Sequence, residues 1–176
     1  SNATKGCGID PHGLKISVND ILLGRHSLED CILSPKNLSF SILPATPELT
    51  EAEVMLLSTQ SKEFTLKNVL NECAINFDYV IIDCPPSLNI LTVNALTAAT
   101  GVLIPVQCEF FALQGLSELM TTINTIKSSS NQELVVKGII RTMFDPRNNL
   151  ATDVSAQLMK YFADKLYRTI IPRNIT

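Results

Sequence analysis

The chain has 176 residues, is 45% hydrophobic and 18% charged, and carries a formal net charge of −3. A chain of this length buries roughly 68–70% of its unfolded surface on folding, and the balance of apolar to charged residues excludes a disordered or low-complexity polymer. No apolar run approaches the roughly 18–20 residues that a membrane-spanning helix needs.

In chain order, Ser1, Asn2 and Ala3 read as the scar of a cleaved expression tag, and residues 4–176 read as one α/β domain that is incomplete at both ends. Residues 4–17 hold three glycines and a proline and read as a loop. LSFSIL (38–43) alternates like a strand, and TEAE (50–53) has the form of a capping box opening a short helix. Leu66, Val69, Leu70, Cys73 and Phe77 form a helical stripe. The run YVII (79–82) then predicts a strand, as do VLIPV (102–106), VKGIIRTM (136–143) and RTII (168–171). Their near-continuous apolar character suits a parallel sheet covered on both faces. Helical stripes over Leu113–Ile126 and Val154–Phe162 separate the later strands. Strand–helix–strand alternation predicts a doubly wound, mostly parallel sheet with helices on both faces, joined by right-handed crossovers.

The stretch FDYVIIDCPPS (77–87) closes an apolar run on one carboxylate, Asp83. In a nucleotide-hydrolysing α/β fold, ligands gather at the carboxyl ends of parallel strands, where an aspartate holds magnesium, usually through water. The competing reading is a carboxylate that only satisfies backbone donors or caps the next helix. Cys84 reads as a small packing residue, because nothing nearby is certain to lower its pKa. Ser87 lacks the Gly-x-Ser-x-Gly turn of a hydrolase nucleophile. The phosphate cradle that such a site requires, G-x-x-x-x-G-K-[ST], is nowhere in these residues. KGCG (5–8) imitates it but has no preceding strand, no second lysine and no Ser/Thr ligand.

Five dispersed cysteines without a CxxC pair argue against a disulfide framework and fit a reducing cytosol. His12 and His26 read as surface loop residues. Charge is asymmetric: residues from 134 onward carry +4 and the rest −7. Such a basic end permits an anionic partner, although a solvated mixed surface is the commoner meaning.

Residues 78–119, DYVIIDCPPSLNILTVNALTAATGVLIPVQCEFFALQGLSEL, closely resemble the second half of the ParA/Soj chromosome- and plasmid-partitioning ATPases. That branch of the deviant Walker A P-loop ATPases includes MinD. GIIRTMFDPRNNLATDV (138–154) and RTIIPRN (168–174) extend the likeness to about residues 18–174. The resemblance implies a P-loop NTPase-like fold without its N-terminal strand and P-loop, and ATP and Mg2+ as the parent's cofactors. Asp83 matches the Walker B aspartate as the catalytic and magnesium residue. Pro172, Arg173 and Asn174 match the segment that packs on and hydrogen-bonds the adenine. Arg147 matches a DNA-binding arginine, and Glu109–Gly115 a conformationally responsive segment.

The implied parent is a cytoplasmic, nucleoid-associated ATPase that dimerises around ATP and binds DNA non-specifically. A ParB/Spo0J-like centromere-binding protein is its implied partner, and no membrane is expected. Lacking the phosphate cradle, these 176 residues are expected to be inactive by themselves. Two alternatives remain open at this level. One is a MinD-like membrane-cycling ATPase, which needs a C-terminal amphipathic helix. The other is a non-catalytic interaction module from a truncated paralogue.

Overall fold

The computed structural model describes residues 2–85 and 87–174. The chain divides into two compact units, Ser1–Ala98 and Ala99–Thr176.

The first unit is helical. Helix α1 (Asn2–Gly6) ends where Gly8 takes φ +75°, and the amides of Cys7, Gly8 and Ile9 donate to the carbonyls of Ala3, Lys5 and Thr4. That is the hydrogen-bonding of a glycine-terminated helix end, so the stretch read as a loop opens with a helix. A 3-10 turn at Pro11–Gly13 follows. Helices α2 (Val18–Leu22) and α3 (Leu28–Cys31) each begin with a Ser-x-x-Asp capping box, Ser17 with Asp20 and Ser27 with Asp30. Ile21, Leu28 and Cys31 form a buried cluster on which Ile16, Leu43, Val69, Leu70 and Cys73 pack. Burial, with Asp20 and Asp30 adding to it, pushes the Cys31 thiol up to about 11, so it is an inert core residue.

Helix α4 spans Leu49–Leu57, but the predicted TEAE box does not form. The helix starts one residue before Thr50, whose hydroxyl donates to the Pro47 carbonyl instead (3.4 Å). Glu51 takes a two-pronged bond from Arg25 and a third from Asn19, tying α4 to α2. Helix α5 runs Thr65–Glu72 and stops before Phe77, because Cys73 turns extended (φ −65°, ψ 124°). Its N-terminus is held by buried Asn94 on α6 (Ile90–Ala98). Asn94 accepts from the Leu66 amide at 3.0 Å and donates to Lys62 O and Ile90 O.

Two strand predictions fail here. LSFSIL reduces to one antiparallel bridge, Leu33 with Ile42. YVII (79–82) is irregular, with Tyr79 (88%), Val80 and Ile81 (93%) exposed and Ile82 half-buried. A strand exists only through its ladder. No described residue supplies a ladder to 79–82, so high β-propensity alone does not make it a strand.

The second unit is a three-stranded parallel sheet in the order β1–β2–β3, with β1 Gly101–Gln107, β2 Val135–Phe144 and β3 Leu166–Pro172. Helices α7 (Ala112–Ser129) and α8 (Asn149–Phe162) are the crossovers. All three strands and both helices fall where the apolar runs predict. The core joins Ile104 and Val106 of β1 to Leu116, Ile123 and Ile126 of α7, Ile139 of β2, and Ala151, Val154 and Leu158 of α8. On β1 the alternate residues Leu103 and Pro105 stand exposed, as the period of two requires. No described helix is long and apolar enough to cross a membrane.

Candidate functional site

In the first unit, Asp83 sits in the irregular segment after residues 79–82, with its side chain exposed. Its neighbour Cys84 is also exposed, and its thiol points weakly at Ile82 O (3.8 Å). Crowding by the surrounding chain, then the Asp83 carboxylate, raises the Cys84 thiol pKa. A raised thiol is a poor nucleophile. Pro86 lies outside the described residues, as does Ser1 of the tag-like start. Exposed Ser87 lends its carbonyl to the Thr92 hydroxyl at the start of α6 (2.7 Å). An open groove of about 560 Å3 lies over Arg25, His26, Glu29, Glu72 and Cys73, and contains none of the predicted site residues.

The second unit carries the other predicted residues. Glu109 to Gly115 leave the end of β1 in a turn and enter α7, with Phe110 and Phe111 packed edge to face and exposed. β3 delivers Pro172, which pairs with Phe144, and the Arg173 amide donates to Phe144 O at 3.1 Å. Pro172, Arg173 and Asn174 are all exposed.

Arg147 lies in the loop between β2 and α8, where Asn148 caps α8 by accepting from Leu150 N and Ala151 N. The Arg147 side chain is 73% exposed, and Asp145 engages its Nε and Nη2 edge. Nε and Nη2 donate to the two carboxylate oxygens at 3.0 and 2.8 Å, and the Arg147 amide adds a third bond at 3.0 Å. These bonds, with a small contribution from the charge of Arg173, hold the Asp145 carboxyl at about 2. Arg147 thus binds this carboxylate directly, while Arg173 acts on it through its charge alone. The sequence reading missed Asp145, although an acid two residues before an arginine across a proline is the signal for such a turn.

It missed Arg141 as well, counting it only among the bases. Arg141 projects from β2 and is 6% exposed. An arginine inside the apolar run VKGIIRTM was the available signal.

Among the described residues, no group of three or more His, Cys, Asp or Glu could hold a metal between them. A lone exposed carboxylate such as Asp83 suits magnesium held through its waters, since that ion keeps several. The triphosphate finds no such fit. The amides after Lys5 already cap α1, so KGCG presents no cradle.

The family described as AAA domain matches residues 1–136. The sporulation initiation inhibitor protein Soj of Bacillus subtilis is 45% identical over 174 residues, covering 99% of this chain and 69% of that protein. This chain belongs to the ParA/Soj family. The chromosome partitioning protein ParA of Myxococcus xanthus is 43% identical over 99% of the chain, and an uncharacterized Pseudomonas putida protein is 51% identical. The chain spans 66% of the length of that Pseudomonas relative. Among solved structures, cobyrinic acid a,c-diamide synthase of Mycobacterium smegmatis superposes with a TM-score of 0.89 at 36% identity. The match covers 97% of this chain and 70% of that one, which was solved with an ATP analog and magnesium bound. A plasmid partition protein from Borrelia burgdorferi shares the fold at a TM-score of 0.76 and 24% identity. The ParA/Soj chain therefore has a P-loop NTPase-like fold, here as a parallel sheet with crossover helices.

Proposed function

We propose that the full-length protein is a DNA-partitioning ATPase of ParA/Soj type. The observation that carries this is the near-complete alignment, 99% of the chain at 43% identity, with the chromosome partitioning protein ParA of Myxococcus xanthus. In this reading exposed Asp83 orients the magnesium through its water shell, and Pro172–Asn174 receive the adenine. Bound magnesium supplies charge neutralisation at the phosphates. ATP joins two subunits, and a centromere-binding protein of ParB/Spo0J type stimulates turnover at the nucleoid.

The 176 residues alone do not hydrolyse ATP or form the nucleotide-sandwiched dimer, because phosphoryl transfer depends on positioning the phosphates and the sequence holds no G-x-x-x-x-G-K-[ST] cradle. Phosphate release is expected at the buffer level for this chain. The full-length protein is expected to turn over and to lose turnover on Asp83→Ala. Turnover by the 176-residue chain, abolished by that substitution, would show the inactivity reading to be wrong.

DNA binding in this reading is phosphate-directed, independent of sequence and salt-sensitive. Exposed Arg147, in the basic C-terminal stretch from residue 134 onward, is the contact proposed for it. Arg147→Glu in the ATP-bound full-length protein is expected to weaken DNA binding about tenfold or more at low salt. Undiminished binding in a mobility-shift assay would remove Arg147 from the interface.

A further inference from the structure

Arg141 is a buried cation without a buried anion. Its Nη1 donates to Ser155 Oγ on α8 at 2.8 Å, and its Nη2 to the carbonyls of Tyr167 (3.2 Å) and Arg168 (3.4 Å) on β3. Nε is buried and has no partner among the described residues. None of the ion pairs among the described residues involves Arg141. Burying a guanidinium without a carboxylate is costly, so its placement calls for a reason.

The reason is visible in the β2–β3 register. Ile139 pairs with Leu166, and Arg141 pairs with Ile170. Between these pairs β3 advances four residues while β2 advances two, so residues 167–169 leave the regular ladder. Two of the carbonyls displaced there, those of Tyr167 and Arg168, are the ones that the Arg141 guanidinium takes. The Tyr167 ring is fixed too, because it lies over Gly138 where any Cβ would collide with it.

A second irregularity runs the other way. From Arg141 to Phe144 β2 advances three residues while β3 advances two, ending at Pro172. Met143 absorbs the extra β2 residue in a left-handed conformation, φ +52°. The position at which Pro172, Arg173 and Asn174 emerge is therefore the outcome of two opposed bulges. A slip of one residue would turn each of those side chains to the opposite face.

We propose that Arg141 is a positioning residue: it pins the first bulge, and thereby sets which way the Pro172–Asn174 segment presents itself to the nucleobase. The part concerning the base rests on the adenine-binding reading above. The part concerning register does not. An arginine suits this role because its planar fork serves a hydroxyl and two carbonyls at once, which a lysine cannot reproduce.

The test uses the full-length protein as wild type, Arg141→Met, Arg141→Lys and the milder Ser155→Ala, which removes one acceptor and guards against an unfolded Arg141→Met. Amide exchange is read at Ile139, whose N–H donates to Lys165 O ahead of the bulge, and at Arg173, whose N–H donates to Phe144 O beyond it. Arg141→Met is expected to speed exchange at Arg173 about tenfold or more while leaving Ile139 protected. Arg141→Lys should behave like Arg141→Met, and Ser155→Ala should give a smaller shift in the same direction. The preference for ATP over GTP should fall about tenfold in Arg141→Met, the scale of one misplaced base contact.

Equal acceleration at both amides would mean general loosening and would overturn the proposal, as would unchanged exchange at Arg173. Rescue by Arg141→Lys would also overturn it, since charge alone would then suffice. An unchanged ATP:GTP preference with altered exchange would overturn the link to the base. Wild-type protein that binds no ATP would sink the functional reading, while the exchange comparison would still decide the register.

Discussion

Arg147 presents a conflict at the level of single residues. As a phosphate contact it needs its guanidinium available, yet its Nε and Nη2 edge is spent on Asp145, and only Nη1 lies outside those two bonds. An exposed ion pair of this kind contributes little to stability, so it is cheap to open. If Arg147 meets DNA as proposed, the pair's effect falls instead on the electrostatics seen by the phosphate, since the Asp145 carboxylate lies against the Arg147 guanidinium. The lowered Asp145 pKa, about 2, means that this charge persists throughout the physiological range. The pairing is fully present above the ordinary carboxylate pKa of roughly 3.9 and is lost as pH falls through about 2. Neutral-pH changes in DNA binding therefore do not come from Asp145. Removing the charge does matter. Asp145→Asn in the ATP-bound full-length protein is expected to tighten DNA binding about two- to fivefold and to preserve its salt sensitivity. A titration at fixed ionic strength checks this, and weaker binding would show that Asp145 organises Arg147 for DNA rather than competing with it.

The elements of the second unit were legible in the sequence, whereas α1, α2, α3 and α6 went unread and two of the strands expected in the first unit do not form. β1, β2, β3, α7 and α8 lie where their apolar periods place them, because consecutive βαβ units supply one another with ladders and covering faces. YVII has an equally good strand composition, but no described segment pairs with it. TEAE failed for a smaller reason: the helix starts two residues earlier than a Thr50 cap requires, which puts that threonine inside the first turn. The register of β3 was not readable at all, since bulges depend on tertiary partners such as Arg141 and Tyr167. Those contacts give an element-level prediction. Gly138→Ala drives a Cβ into the Tyr167 ring and is expected to destabilise the protein by about 1–3 kcal/mol, the range for overpacking. Combining it with Tyr167→Ala should recover part of that loss, giving a coupling energy of roughly 0.5 kcal/mol or more in a denaturation cycle. Strict additivity of the two changes would place the cost of Gly138→Ala elsewhere, in backbone conformation.

For the molecule as a whole, the weak point is the segment on which the site reading began. Phe77, Tyr79, Val80 and Ile81 form an exposed run, rich in strand-forming residues and without a ladder. Adjacent exposed apolar side chains on an unpaired extended chain are a template for pairing with another copy. Of the two charges here, Asp78 separates Phe77 from the rest and Asp83 follows Ile82, which leaves residues 79–82 as an uninterrupted apolar stretch. The chain as it stands is therefore expected to self-associate with rising concentration, through residues 77–82. A lysine placed at the most exposed position is the standard way to block edge pairing. Ile81→Lys is expected to shift the chain toward monomer in sedimentation velocity without altering the circular dichroism of the second unit's sheet and helices, to which residue 81 does not belong. In the full-length protein the same substitution should instead reduce the yield of folded material if 79–82 is paired and buried there. Monomeric behaviour of the unsubstituted chain at all concentrations would show that the exposed run does not drive association, and Asp83 would then sit on a segment held by contacts of its own.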